Sequence, residues 1–203
     1  VEVALARRPL LNDEQQELVR RITSGQDAVV VVNAAAGSGK TTALDAVTQA
    51  YAASGLPVLG ATLSAKAAGV LRDETGMTTF TITRLLLDLR EARSGGLPPG
   101  AVMIIDEAGQ VGTRALAEIQ AYVSQARGQL VLVGDLRQLP EIDAGGAFRG
   151  LVNRLDAIEL TENHRQREPA ERARLLRLQQ LVDQDRDEDD VVDAQHQFEG
   201  SEG

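Results

Sequence analysis

The sequence predicts an α/β fold built on a parallel sheet with helices on both faces. Three observations predict it. Short apolar runs rich in β-branched residues alternate along the chain with segments of helical periodicity. These runs are near-continuous rather than alternating with polar residues, as strands buried on both faces require. Three of the runs are followed at once by a glycine-rich or polar cluster, at Gly37–Thr41, Asp106-Glu107 and Gly134–Gln138. Ligands of parallel sheets bind beyond the carboxyl ends of the strands, so the three clusters share one expected edge.

Taken in order, residues 11–24 read as a helix, capped by Asn12 or Asp13, with Leu18, Val19 and Ile22 as its apolar stripe and Gly25 as its stop. Val29–Val32 is the first buried strand. A helix follows from Thr41 to about Ala53, and Pro57–Thr62 is a second strand. A short helix is expected over Ala65–Asp73 and another over Thr81–Arg90. The Ser94–Gly100 stretch is a loop, because Gly and Pro punctuate it. Ala101–Ile105 is a strand, Arg114–Gln125 a helix and Gln129–Val133 a strand. Ala157–Leu160 is a last short strand and Pro169–Val182 a last helix. No internal repeat is present.

The 203 residues suggest one domain with a tail, and 43% hydrophobic residues supply a sizeable core. Aromatic residues are 2%, so that core must be aliphatic. The absence of cysteine excludes disulfides, thiolate-zinc sites and thiol catalysis, and suits a reducing compartment such as the cytoplasm. No apolar run reaches the roughly 18 residues of a membrane-spanning helix. The chain opens on Val1, and we expect a piece of a longer product or a processed start. Residues 183–203 hold nine acidic residues and one arginine, so most of the net charge of −9 belongs to them and residues 1–182 are nearly neutral. The expected organisation is an N-terminal extension over 1–10, a folded lobe over 11–182 and an acidic, disordered tail over 183–203.

The strongest chemical signal is Ala34-Ala-Ala-Gly-Ser-Gly-Lys-Thr41, set between a strand and a helix. This is a P-loop, with Ala34 as a tolerated departure from the usual first glycine. Backbone N–H groups of Ala36, Gly37, Ser38 and Gly39 would cradle phosphate oxygens, helped by the first turn of the helix at Lys40, Thr41 and Thr42. Lys40 would reach the outer phosphates and Thr41 would ligate Mg²⁺. A glycine-rich turn on its own could be a tight loop with no ligand. Here the strand, the helix and two further clusters accompany it.

Asp106 and Glu107 end an apolar strand. A carboxylate there can hold the Mg²⁺, and a second can orient and deprotonate the attacking water. The bland alternative is two acids capping the next helix. In Gly134-Asp-Leu-Arg-Gln-Leu-Pro140, Gln138 can sense a terminal phosphate through its amide donor, against the alternative of a polar turn stopped by Pro140. Arg165, in Glu162-Asn-His-Arg-Gln166, can stabilise charge developing in phosphoryl transfer. His164 lacks the companions of a metal ligand, and Tyr51 and Tyr122 sit in helical patterns as packing residues.

Gln15 in Leu-Asn-Asp-Glu-Gln, the P-loop, Ala61-Thr-Leu-Ser-Ala-Lys-Ala-Ala68, Ile105-Asp-Glu-Ala-Gly109, Gly134–Pro140 and Leu160-Thr-Glu-Asn-His-Arg-Gln166 occur in that order. The ordered set resembles the superfamily 1 DNA helicases of the RecD-like group, in particular the helicase part of conjugative relaxases, over about residues 10–180. The resemblance implies a RecA-like lobe of P-loop NTPase type, with ATP and Mg²⁺ as cofactors and single-stranded DNA as partner. It implies that Gln15 reads the adenine edge, that Gln138 couples the terminal phosphate to DNA movement and that Arg165 contacts that phosphate. It places Thr62, Lys66, Thr81 and Arg84 near the DNA backbone, where hydroxyls and a lysine suit sequence-independent contact. Thr83 stands where many relatives have His. Family helicases pair two such lobes, and nothing after Arg165 resembles the second, so the expectation is an incomplete motor that hydrolyses weakly and does not unwind alone. The competing readings are a nucleotide-gated DNA- or partner-binding module without efficient turnover, and a P-loop kinase. The presence of Glu107 speaks against the former, and the Gly134–Pro140 segment against the latter.

Overall fold

The computed structural model describes Leu5 and residues 11–25, 27–91, 96–138 and 146–161. The elements are α1 (Asp13–Thr23), β1 (Val29–Ala34), α2 (Lys40–Ala52), β2 (Val58–Thr62), α3 (Ala65–Thr75), β3 (Thr78–Thr81), α4 (Ile82–Arg90), β4 (Val102–Ile105), a 3₁₀ turn (Ala108–Gln110), α5 (Thr113–Gln125), β5 (Gln129–Gly134), α6 (Ala147–Arg154) and β6 (Ile158–Leu160). The strands form one six-stranded sheet in the order β3-β2-β4-β5-β1-β6. All five pairings are parallel, with Val30 opposite Val131 and Ile104 opposite Val131 on its other side.

Parallel strands buried on two faces send successive side chains to opposite layers. In β1, Val30 and Val32 face one layer and Val31 the other; in β4, Val102 and Ile104 oppose Met103 and Ile105; in β5, Val131 and Val133 oppose Leu130 and Leu132. The first layer is closed by α1, α2 and Leu71 of α3, with Leu18, Ile22, Leu44 and Val47 fully buried. The second is closed by α4 and α5 through Ile82, Leu85, Leu89, Leu116 and Ile119, and by Phe148 of α6. The fold class and its aliphatic core therefore match the sequence expectation.

Local chemistry explains the boundaries. The Asn12 side chain accepts from the Gln15 N–H at 2.8 Å while the Gln15 side chain accepts from the Asn12 N–H at 3.1 Å, a closed capping box that starts α1. Asp13 and Glu14 in its first turn and Arg20 and Arg21 in its last complement the helix dipole. Ser64 and Thr81 cap α3 and α4 through their hydroxyls. Gly76, at φ 71°, ends α3 in the left-handed conformation.

Two elements depart from the sequence reading. Residues 78–81 form edge strand β3, and Thr81 caps α4 rather than opening it. The run is four residues long and mostly half-exposed, too short to show a period. The second is α6, a stretch to which the sequence reading assigns no element. It carries Gly150 in its interior and is eight residues long. The helix expected over 169–182 and the acidic tail over 183–203 lie outside the described residues.

Candidate functional site

The sheet order sets the geometry. β5 lies between β1 and β4, so the P-loop, the Gly134–Gln138 segment and Asp106-Glu107 stand side by side along the carboxyl edge. Gly37 and Gly39 have φ of 79° and 77°, a backbone that only glycine adopts without strain. Gly39 is the N-cap residue of α2, and no side chain caps that helix. The first-turn N–H groups are therefore left to an anion, which the helix dipole also favours. Ser38 is 1% exposed, and its hydroxyl has no hydrogen-bond partner among the described residues. Buried polar atoms are rarely left unpaired, and an unpaired hydroxyl inside a phosphate cradle is what an absent oxyanion would leave.

Lys40 reaches across the end of β5 to β4. Its Nζ lies 2.6 Å from Asp106 Oδ1, with the two side chains 33% and 13% exposed. The same Oδ1 accepts the Glu107 N–H at 2.9 Å, and the Asp106 N–H donates to Ala61 O on β2 at 3.0 Å. Asp106 is thus fixed from three sides. Glu107 has φ 60° and ψ 34°, left-handed without being glycine. Its carboxylate has no partner among the described residues and is half-buried. Such strain costs on the order of 1 kcal/mol and clusters at functional sites.

Gly134 closes the edge. A Cβ there would come within 2.9 Å of the Phe148 ring and 3.0 Å of the Gly109 N, so glycine is needed to let β5 end against the Asp106–Gly109 turn. Gln138 is exposed, and its Oε1 accepts from Gln110 Nε2 at 3.1 Å. The segment is tied to the P-loop strand by two bonds: Leu136 N–H donates to Asn33 Oδ1 at 3.1 Å, and Ala36 N–H donates to Asp135 Oδ2 at 3.2 Å. Asn33 Nδ2 also donates to Glu159 Oε2 on β6 at 2.8 Å. Burial pushes the Glu159 carboxyl upward, while that bond and the nearby Arg137 charge pull it back. Asn33, Gln110 and Asp135 were not singled out from the sequence. An Asn ending a run of four valines was the only local signal for the first.

Gln15 is 3% exposed and is held against the P-loop. Its Nε2 donates to Ser38 O at 3.1 Å and to Gly39 O at 3.3 Å, and its Oε1 serves the capping box. Thr41 and Thr42 stand in the first turn of α2, half-buried and exposed. Of the residues considered for DNA, Thr62 is fully buried with its hydroxyl donating to Ser64 O at 3.0 Å. Lys66 is exposed on the first turn of α3. Thr81 accepts from the Arg84 N–H, and the Arg84 guanidinium pairs with Asp88 at 2.9 Å. Tyr51 is a packing residue as expected. It is buried with its hydroxyl donating to Ile22 O or Gln129 Oε1, and burial pushes its ionisation up to about 12. Arg165 and His164 lie outside the described residues.

The arrangement joins an anion cradle, a lysine, two carboxylates and a glutamine amide. Mg²⁺ is commonly held by one or two carboxylates plus phosphate oxygens and water rather than by a protein cage. The pair Thr41 and Asp106 fits that donor set, and no cluster of three ligating side chains occurs among the described residues.

Residues 10–197 match the AAA domain family. The chain is 37% identical over 168 residues to a probable conjugal transfer protein TraA of Sinorhizobium fredii, an alignment covering 83% of this chain and 15% of that protein. It is 31% identical over 159 residues to the ATP-dependent RecD2 DNA helicase of Deinococcus radiodurans, covering 77% of this chain and 22% of that protein. The chain therefore spans less than a quarter of the length of these relatives. The crystal structure of Pif1 helicase from Candida albicans superposes with a TM-score of 0.55 at 20% identity, over 77% of this chain and 41% of that one, a likeness of fold. The chain belongs to the AAA domain family, and its fold is RecA-like.

Proposed function

We propose that this chain is the ATP-binding and ATP-hydrolysing motor lobe of a DNA helicase. The observation that carries the reading is the Lys40–Asp106 junction between the P-loop and the end of β4. Lys40 binds the outer phosphates and, with them, moves off Asp106, freeing that carboxylate. Thr41 and Asp106 would then hold Mg²⁺, which when bound offsets phosphate charge. Glu107 is the base that orients and deprotonates water; its unpartnered carboxylate supports this. Gln138, with its Oε1 taken by Gln110, keeps its amide N–H₂ for the terminal phosphate. Arg165 would add a positive charge to that phosphate. The Gly37–Thr42 backbone cradles the rest. Gln15 would read the adenine edge only after exchanging its bonds to Ser38 and Gly39.

The relatives' names and lengths support the wider setting. The lobe, over residues 11–182, works with a second RecA-like lobe and single-stranded DNA. The 5′→3′ direction is what the resemblance of its motifs to the RecD-like group implies, and a cytoplasmic setting is what the absence of cysteine suits. Lys66 and Arg84 are the exposed cations for the DNA backbone, the latter after leaving Asp88. The N-terminal extension over 1–10 contributes Leu5 to the core of the lobe, and 183–203 is an acidic tail by composition.

The test is ATP hydrolysis by this chain, with and without single-stranded DNA, beside Lys40→Ala. A charge-assisted contact of this kind is worth about 2–5 kcal/mol, so ATP affinity in the variant should fall by roughly thirtyfold or more. We expect weak turnover in the wild type and no unwinding. ATP binding that is indifferent to Lys40 would sink the assignment. Lys40-dependent binding with no turnover, with or without added DNA, would favour a nucleotide-gated binding module instead.

A further inference from the structure

Asp135 is the first residue beyond β5, the strand that separates the P-loop from Asp106. Its two carboxylate oxygens are divided. Oδ2 accepts from the P-loop amide of Ala36 at 3.2 Å, and Oδ1 accepts from the Arg137 amide at 3.0 Å. Its main-chain carbonyl accepts from the Gln138 N–H at 3.2 Å. One carboxylate thus holds the P-loop with one oxygen and the turn that carries Gln138 with the other. The Asn33–Leu136 bond pins the same two segments together from the strand side.

A P-loop amide is the kind of donor that a phosphate oxygen uses. Here one of them is already taken by an anion. The inner phosphates of a nucleotide are served by the remaining loop amides, the helix terminus and Lys40. Only the terminal phosphate must extend toward Glu107 and Gln138, and Asp135 stands on that path at the end of the intervening strand. Like charges brought that close raise the free energy of the complex.

We infer that Asp135 is a specificity-determining residue: its carboxylate, shared between the Ala36 and Arg137 amides, penalises ATP relative to ADP and is displaced by the terminal phosphate, moving the turn that carries Gln138. This rests on nucleotide binding at the P-loop. The displacement gives the lobe a way to register the third phosphate without any contact between Gln138 and the P-loop in the resting state. Asparagine at this position keeps an oxygen acceptor and removes the charge; alanine removes both.

The experiment is calorimetric binding of Mg·ATP and Mg·ADP to the chain as wild type, Asp135→Asn and Asp135→Ala, with Lys40→Ala as control. Both Asp135 variants should raise the ATP-to-ADP affinity ratio by about three- to tenfold, the size of one partly screened charge at close range. The gain should shrink in high salt. An unchanged ratio in Asp135→Asn overturns the inference. So does an equal loss of both nucleotides in Asp135→Ala with Asp135→Asn like wild type, which is the signature of a merely structural cap. Failure of the wild type to bind either nucleotide would remove the P-loop reading, and the inference with it.

Discussion

The loops that follow β1 and β4 both turn through the left-handed region at the site, by different means. After β1, the turn is made by glycines, Gly37 at φ 79° and Gly39 at φ 77°. After β4, it is made by Glu107 at φ 60°. For an L-residue this conformation costs roughly 1–2 kcal/mol, which glycine avoids. The difference follows from what each turn offers a ligand. The P-loop offers backbone N–H groups, and side chains there would only obstruct them. The turn after Asp106 offers a carboxylate, so a side chain must be kept and the strain carried. Arg127, at φ 53° just past α5 and away from this edge, shows the same strain with no carboxylate to justify it.

The largest test of this contrast is Glu107→Gln. It keeps the backbone and removes the base, so turnover should drop by about 10²- to 10⁴-fold with ATP affinity and melting temperature unchanged. Wild-type turnover in this variant would mean that the strained turn serves something other than the carboxylate. Next comes Gly39→Ala, which puts a Cβ into the left-handed turn. Calorimetry should show a loss of about 1 kcal/mol, or roughly 2–4 °C, together with weaker ATP binding. Smaller again is the stability of Glu107→Gly. Relief of strain, set against glycine's greater unfolded entropy, should leave a gain of about 0.5 kcal/mol in a protein that no longer turns over. Arg127→Gly sharpens the comparison. It should gain a similar 0.5 kcal/mol or so, with nucleotide binding and hydrolysis untouched. A loss of ATP binding there would show that the two left-handed positions are not independent.

Much of this was legible in the sequence, for physical reasons. β1, β4 and β5 announce themselves as unbroken aliphatic runs because both of their faces are buried. The P-loop and Asp106-Glu107 are legible because their chemistry needs fixed residue types at fixed spacing behind a strand. β3 was not legible, since four residues at a sheet edge owe their conformation to pairing with Leu59–Thr62 rather than to their own pattern. α6 was hidden by Gly150, and its place is set by Phe148 packing on Gly134. Within the site, Gln138 could be singled out but Asp135 could not. A carboxylate that caps an amide 99 residues away has no local signature. The left-handed φ of Glu107 was equally invisible, because the residue types around it are ordinary for a turn.

Gln15 belongs to two structures at once. It closes the first turn of α1 with Asn12, and it props the carbonyls of Ser38 and Gly39. Neither can open without disturbing the other, so the start of α1 and the loop behind it should fluctuate as one unit. Amide hydrogen exchange would register this as a shared opening rate at Gln15, Gln16 and the P-loop. A nucleotide that quiets the loop should then slow exchange in a helix whose sequence carries no phosphate-binding pattern.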